Sequence, residues 1–599
     1  MTTEQLTALA IILAALFLFV WGRWRYDIVA MAALIAAVIV GIVPAEEAFD
    51  GFSDTAVITV AAVLIISQSL QRSGAINAVS GSIGKLPANS VIQIGALTLT
   101  AAILSGFMNN VGALALMLPV AIRSAQSAGI PRSRVLMPLA FGSLMGGLST
   151  LIGTPPNIII SSYRAEVLGK SLGDGGGFGM FDFTPVGLVA ALVGITFITL
   201  VGYRLIPKRD RDNNPLEELL HIEDYVTELA VPYDSPLTGK PIRELVVLAD
   251  GDISVVAVIR DGNKELAPPW YTRMRGGDHL IIEGGTDAIA IAAEVSEFDL
   301  VTDKEFHNTD FASDEVLMVE AVVNPGSRLE GRTPRGLRVN SRYGVNILAV
   351  ARKGKPIHDR IGHIRFEAGD VILMQGPEQV IYEALNSLGC LPLANREIAL
   401  ANRRSLYPLG IFAIAIAATV LGFVRVDIAF AATVLVLVGT RMFPLREIYD
   451  SVEWPVIILL GAFLPVGAAL QTTGVTTLIS DGIFEIGGDM PLWVMLVVIM
   501  TISALLSAVI NNAATAVLMA PVAVSVANSM GMNFDAFLMA VAIGASSAFL
   551  TPIGHQSNLL VMGPGGYRFG DYWRLGLPLT IVTFAVAAPM LVFVWSTAP

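Results

Sequence analysis

The sequence predicts a polytopic α-helical membrane protein with a polar, strand-containing middle, and three observations carry that prediction. Hydrophobic residues make up 54% of the 599 and charged residues only 15%, against about 25% charged in an ordinary soluble chain. The charges are also segregated. Residues 207–404 hold 32 acids and 23 bases, 55 of the 88 charges in a third of the chain. On either side, apolar runs near the roughly 20 residues that cross a bilayer recur at short intervals.

In chain order, spans are expected near 5–22, 26–43, 55–70, 134–162 and 184–206, and after the polar middle near 405–423, 426–443, 453–471, 536–562 and 575–596. The first run reads as a retained helix, because Arg23 and Arg25 follow it and no base precedes it, the reverse of a secretory signal. Two stretches, 91–122 and 491–527, are too long for one span and too short for two. Each is interrupted by polar residues, Asn109-Asn110 and Asn511-Asn512. Paired half-membrane helices meeting at a polar tip fit both, since irregular backbone at membrane depth needs protein or a watery cavity around it.

The two apolar regions are copies of each other. Arg25, Asp27 and Ile28 match Arg425, Asp427 and Ile428, and Pro44, Asp50 and Gly74 match Pro444, Asp450 and Gly474, at an offset of 400. At 402, Leu104, Ser105, Asn109 and Asn110 match Leu506, Ser507, Asn511 and Asn512, followed by Pro119 with Pro521, Gly129 with Gly531 and Gly142 with Gly544. Each copy then has five spans and one re-entrant hairpin. The positive-inside rule orients them. Arg23, Arg25, Lys85, Arg123, Arg132, Arg134, Lys208, Arg209 and Arg211 fall on one side, the cytoplasm. Arg403, Arg404, Arg568 and Arg574 share that side, and Arg425 is the exception. The N-terminus is then outside, the polar middle cytoplasmic, and the repeat inverted (5+5). Inverted repeats with interrupted helices point to a secondary transporter with a midplane site.

The polar middle is duplicated in its turn, at an offset of 92. Leu237, Gly239, Val258, Arg260, Gly262, Gly277, Asp278 and Gly284 recur as Leu329, Gly331, Val350, Arg352, Gly354, Gly369, Asp370 and Gly376. Short β-rich runs with turn glycines, each set ending in a short helix, make two small α+β units. The predicted division is 1–206, first membrane repeat; 207–308 and 309–404, the two units; and 405–599, second membrane repeat.

Other classes are excluded. A net charge of −12 and a pI near 5.1 offer no basic face for nucleic acid. Cys390 is the single cysteine, so there is no disulfide framework or cysteine-ligated cluster. His221, His279, His307, His358, His363 and His555 lack zinc-site spacing, and no Walker loop, GxGxxG fingerprint or GxSxG elbow occurs. The expectation is a transporter, not an enzyme, without an organic cofactor.

The chemistry should lie at the tips and at a second broken element behind each. From Ser105 to Asn157 there is no acid, and from Ser503 to Asn558 only Asp535. A cation there must use hydroxyls, amide oxygens and backbone carbonyls, ligands that suit sodium, while helix N-termini facing the site favour an anion. The lack of carboxylates argues against a proton relay. Gly153-Thr154-Pro155-Pro156-Asn157 breaks one span and Thr551-Pro552-Ile553-Gly554-His555-Gln556-Ser557-Asn558 the other; proline there frees carbonyls. Their alignment is open: Gly554 pairs with Gly153, but Thr551-Pro552 also mimics Thr154-Pro155.

At these residues the chain resembles the divalent anion:sodium symporters of the ion transporter superfamily, the group of sodium-coupled sulfate and dicarboxylate carriers. Their Ser-Asn-Thr tip reads here as Asn109-Asn110-Val111 and Asn511-Asn512-Ala513, with Asn110 and Asn512 in the central position. The resemblance spans both membrane halves, about 400 residues. It implies co-transported sodium at Ser105, Asn109, Asn110 and Gly153, and at Ser507, Asn511, Asn512, Thr551 and Gly554. It places the anion against Asn110, Thr154, Asn157, Asn512, Thr515 and Asn558, and implies a homodimeric scaffold with an elevator-like moving part. His555 is either near the second site or a helix-break residue. Through Ser235–Lys240 and the Gly-Asp turns, the middle resembles TrkA-C (RCK C-terminal) domains, a dimerisation or regulatory module open to a small-molecule regulator. The leading expectation is sodium-coupled uptake of sulfate or a dicarboxylate across the inner or plasma membrane. A sodium/proton antiporter or metalloid-anion exporter, and at greater distance a potassium-channel component, are the alternatives; no TVGYG filter supports the last.

Overall fold

The computed structural model describes the chain apart from residues 22, 73–88, 170–175, 208–225, 249–252, 262, 267, 285–288, 290–291, 295, 302–315, 353–354, 358–360, 394–406, 488–489 and 596–599. Gly74, Lys85, Lys208, Arg209, Arg211, His221, Gly262, His307, Gly354, His358, Arg403 and Arg404 therefore lie outside the described residues.

The first apolar region is helical over Thr3–Trp21, Tyr26–Val40, Thr55–Arg72, Ser90–Ser105, Asn110–Ser127, Ser133–Gly147, Pro155–Val167 and Thr184–Leu200. The second runs through Tyr407–Val420, Val426–Gly439, Trp454–Thr472, Leu492–Ser507, Asn512–Ser529, Phe534–Ser546, Gln556–Met562 and Tyr572–Trp595. It also has two short helices, Leu445–Ser451 and Val475–Gly487, that the apolar runs did not announce. Among the described residues, three helices are long and apolar enough to cross a membrane by length and composition, Trp454–Thr472, Asn512–Ser529 and Phe569–Trp595. Nine further apolar helices among the described residues span 10–17 residues.

Matched residues have matched local jobs. Arg25 and Arg425 sit at the N-caps of Tyr26–Val40 and Val426–Gly439, with nearly equal backbone angles (φ −63°, ψ 142° and φ −65°, ψ 147°). Each pairs with the aspartate two residues on, at 3.0 and 3.2 Å. Gly142 and Gly544 are contact points between a hairpin arm and a broken helix. A Cβ on Gly142 would lie 2.7 Å from the Thr98 carbonyl oxygen, and one on Gly544 2.6 Å from that of Met500.

The arms themselves correct one expectation. They are 16 and 18 residues in both copies, about 24 and about 27 Å at 1.5 Å per residue, and so longer than half-membrane helices. Stretches of this length stay helical because their interruptions are confined to Gly106–Asn109 and Ala508–Asn511.

The middle folds as two five-stranded sheets. Strands β1 (Val226–Ala230), β2 (Ile253–Arg260), β3 (Asn263–Leu266), β4 (His279–Gly284) and β5 (Asp299–Val301) order as β3-β2-β4-β1-β5. Strands β6 (Val316–Val323), β7 (Asn346–Arg352), β8 (Lys355–Pro356), β9 (Val371–Pro377) and β10 (Cys390–Pro392) order as β8-β7-β9-β6-β10. The two orders are the same topology. The strand after each Gly-Asp turn is central in its sheet, and a three-residue edge strand closes each unit after its helical segment.

The recurring arginine and aspartate explain each other. Arg260 grips Asp278 through Nε at 2.8 Å and Nη2 at 2.7 Å, and Arg352 grips Asp370 through both nitrogens at 2.8 Å. Both aspartates are buried. Hydrogen bonding to them pushes the two guanidinium pKa values up from their ordinary range.

Candidate functional site

The polar residues of the tips and breaks gather in two constellations built alike. Each first arm ends in serine and each second arm begins with asparagine. Ser105 Oγ donates to Asn110 Oδ1. Ser507 Oγ donates to Asn512 Oδ1 at 2.8 Å and lies 2.6 Å from the Ala545 carbonyl oxygen. All four residues are buried. Asn109 and Asn511 are the N-caps of the second arms, their Oδ1 atoms accepting from Val111 N at 3.2 Å and Ala514 N at 2.7 Å. Capping satisfies one of the donors a helix start leaves over, so these two side-chain oxygens are already engaged.

Behind each tip, one asparagine clasps the break. Asn157 Nδ2 donates to the carbonyls of Gly147 at 3.2 Å and Thr150 at 2.7 Å. Asn558 Nδ2 donates to those of Ala548 at 2.8 Å and Thr551 at 3.0 Å. The partners lie ten and seven residues upstream in both. Thr150 Oγ1 bonds the Gly106 carbonyl and Thr551 Oγ1 the Ala508 carbonyl, the latter at 2.7 Å, fastening break to tip. The open alignment is thereby resolved. Thr551 corresponds to Thr150, Gly554 to Gly153, His555 to Thr154 and Asn558 to Asn157, and Thr551 is not the counterpart of Thr154. His555 is an N-cap with φ −150° and ψ 142°, against −149° and 143° for Thr154, and its Nδ1 accepts from Ser557 N at 3.0 Å.

Oxygen atoms converge at the first constellation. A Cβ on Gly147 would lie 2.5 Å from Asn110 Oδ1 and 3.1 Å from the Gly153 carbonyl oxygen, and one on Gly153 would lie 2.6 Å from the Gly147 carbonyl oxygen. Only glycine admits these oxygens so close to one backbone. At the second, a Cβ on Gly554 would lie 3.0 Å from the Ser507 carbonyl oxygen. Among the described residues, Thr154 Oγ1, Ser546 Oγ, Ser557 Oγ and Asn558 Oδ1 are buried without a hydrogen-bond partner, a costly condition that in native proteins calls for a ligand, water or ion. Thr515 differs: its buried hydroxyl donates to the Asn511 carbonyl of its own helix at 3.1 Å.

The copies interlock. The helix Gln556–Met562 packs against the arm Asn110–Ser127, and Pro155–Val167 packs against Asn512–Ser529. Arg164 and Asp535 join the broken helices with bonds of 2.7 and 2.9 Å, with the guanidinium 4.8 Å from the Phe178 ring centroid. Tyr567 joins them again, its hydroxyl accepting from Met137 N at 2.8 Å and donating to the Ser133 carbonyl.

One carboxylate enters that the acid count along the tips did not include. Asn109 Nδ2 donates to Glu453 Oε1 at 3.1 Å. Glu453 is 344 residues away, at the N-cap of Trp454–Thr472, where an acid reads simply as the polar flank of a span. The position of Asn109 in the tip could not reveal it; the copy relation places no acid opposite it either, since Ser53 stands at the matched position. The premise of tips without a carboxylate neighbour is corrected accordingly.

Comparison with known proteins places the chain among transporters. The citrate transporter (CitMHS) family model matches residues 16–544 and 495–599. The chain is 31% identical over 594 residues to an uncharacterized transporter of Synechocystis sp., across 98% of this chain and 96% of that one. It is 30% identical over 616 residues to an uncharacterized transporter of Escherichia coli, across 99% of both. Sodium/sulfate cotransporter 1 of Chlamydomonas reinhardtii is 24% identical over 349 residues, 56% of this chain and 39% of the alga's.

Proposed function

The chain belongs to the citrate transporter family, and on that footing we propose that it is a secondary active transporter taking up a small divalent anion, sulfate or a dicarboxylate, together with sodium. The observation that carries this reading is the duplicated tip-and-break geometry, with buried oxygens crowded at the tips and unpartnered hydroxyl and amide oxygens at the breaks. Sodium is a hard cation that takes oxygen ligands, as calcium and magnesium do. At the first constellation we assign it to Ser105, Asn110 and the carbonyl of Gly153, with Asn109 contributing its backbone because its side chain is committed. At the second we assign Ser507, Asn512 and the Thr551–Gly554 break, with Asn511 in the role of Asn109.

The anion lies between them, against Asn110, Asn512, Thr154, Asn157 and Asn558. Thr154 Oγ1 and Asn558 Oδ1 are the atoms free to respond to a ligand. Asn157 and Asn558 shape the site by clasping the breaks in place, and Thr515 acts through the backbone of Asn511. Helix starts at Asn110, Pro155 and Asn512 add partial positive charge. Two cations then offset the cost of bringing a divalent anion to the midplane, where lone charge is expensive. Coupling follows if sodium must order a tip before the anion site is complete.

The same reading assigns residues 1–206 and 405–599 to an inverted repeat in the inner or plasma membrane. The hairpins and broken helices move as an elevator against a dimeric scaffold, and residues 207–308 and 309–404 are cytoplasmic TrkA-C-like units. The sodium/sulfate cotransporter names of algal relatives favour sulfate, and the family's name brings citrate into the test. Reconstituted protein should accumulate labelled sulfate or succinate only when a sodium gradient is imposed. Uptake of citrate alone would move the substrate class, and uptake indifferent to sodium would overturn the coupling.

A further inference from the structure

We infer that the Gly369–Asp370 turn of the second insert unit docks on the helix Gln556–Met562 and gives the insert a direct hold on the second break. Gly369 has φ +87°, and a Cβ there would lie 2.9 Å from the Leu559 carbonyl oxygen. A Cβ on Gly563 would collide with the Gly369 carbonyl oxygen and lie 3.0 Å from Val371 Cγ2. Leu559 follows Asn558, the residue that clasps the break. The contact is also part of one continuous buried cluster, in which Phe366 and Val371 of the insert join Phe549, Leu560 and Tyr572 of the membrane region.

The turn is stiff. Gly369 N donates to the Val323 carbonyl at 2.8 Å, Val323 N to that of Asp370 at 2.9 Å, and Arg352 grips the Asp370 carboxylate at two points. Its twin shows what is special about it. In the first unit the same turn is covered from within: Cβ atoms on Gly276 and Gly277 would lie 2.6 and 2.8 Å from Tyr233. At the matched position the second unit has Pro325, and its turn is covered by Leu559 and Gly563 instead. The shared fold needs the turn; the second copy uses it against the membrane region as well. A rigid knob seated one residue beyond Asn558 transmits movement of the insert to the break carbonyls.

The docking and its hold on the break are tested on full-length purified protein by amide hydrogen exchange over residues 366–372, 547–555 and 556–563. Gly563→Ala adds an atom at the contact, and Val371→Ala removes methyls without adding any, which covers the case of a variant that fails to fold. Gly277→Ala disturbs the twin turn of the first unit, at φ +88° and against Tyr233, away from the contact, and serves as control. Faster exchange in all three segments for G563A or V371A, and in none for G277A, is the expected result. Unchanged exchange over 556–563 overturns the docking, and faster exchange that stops short of 547–555 overturns the hold on the break. The consequence for transport rests on the sulfate reading above: sulfate KM should rise about fivefold or more, the lower end of ordinary site-to-site coupling. A wild-type chain that takes up no sulfate counts against that reading, while the exchange pattern still decides the docking.

Discussion

Asn558→Ala removes the donor shared by the Ala548 and Thr551 carbonyls, held at 2.8 and 3.0 Å. The side chain is fully buried. Leaving a buried acceptor unpaired costs about 1–3 kcal/mol, so two cost about 2–6 kcal/mol of local stability, less where water reaches the break. At 1.4 kcal/mol per factor of ten, opening of the break should become about 30-fold to about 20,000-fold more frequent. Amide exchange over residues 543–562 reads this directly, because those amides lie on both sides of the clasp. Asn558→Asp should be at least as damaging, since it sets a carboxylate oxygen against two carbonyls. The Tyr572 hydroxyl bonds the Asn558 backbone at 2.6 Å, so both variants keep that anchor and the loss isolates the side chain. Asn157→Ala should do the same over 143–162. Exchange in N558A that matches wild type within error would refute the clasp as the element that holds the break.

Arg164→Leu leaves the buried Asp535 without its partner, which costs about 3–5 kcal/mol where a pair is desolvated. The thermal midpoint should fall, and the R164L/D535L double variant should fall less than the sum of the singles. Glu453→Ala removes the acceptor of Asn109 Nδ2 and should slow uptake, whereas Glu453→Gln, which keeps an acceptor oxygen, should restore most of it; equal rates for E453A and wild type would remove Glu453 from the site. Arg352→Met should destabilise the second insert unit by about 3–5 kcal/mol through the unpaired buried Asp370, read as a lower unfolding midpoint. Burial pushes the Cys390 thiol up from 9.0 to about 12. Folded protein should therefore resist maleimide at pH 8, and the thiol's contribution to stability should be intact below pH 9 and lost as pH climbs towards 12.

The helical membrane character and the polar middle were legible because composition and charge segregation do not depend on three-dimensional detail. Ser105, Asn110, Ser507 and Asn512 stood out because duplication repeats them at one offset. The break alignment was not legible, because Thr-Pro occurs in both copies at different steps. It is the donors of Asn157 and Asn558, reaching ten and seven residues back, that distinguish the alternatives, and such reach leaves no mark in one-dimensional pattern. Glu453 was hidden by its distance along the chain. Strands β5 and β10 were hidden by their length, since three residues cannot display an alternation. The Gly-Asp pair recurs at 277–278 and 369–370, and nothing in that pair tells that Tyr233 covers one turn and Leu559 the other.

Sodium-dependent anion binding by purified protein tests the central claim most directly, because it needs neither membrane gradient nor turnover. Labelled sulfate should bind in sodium and not in potassium, and Asn110→Ala and Asn512→Ala should each abolish the sodium response in protein that still folds. Binding equal in the two salts, or a sodium response intact in both variants, would contradict the claim that the paired tips hold sodium and that sodium completes the anion site.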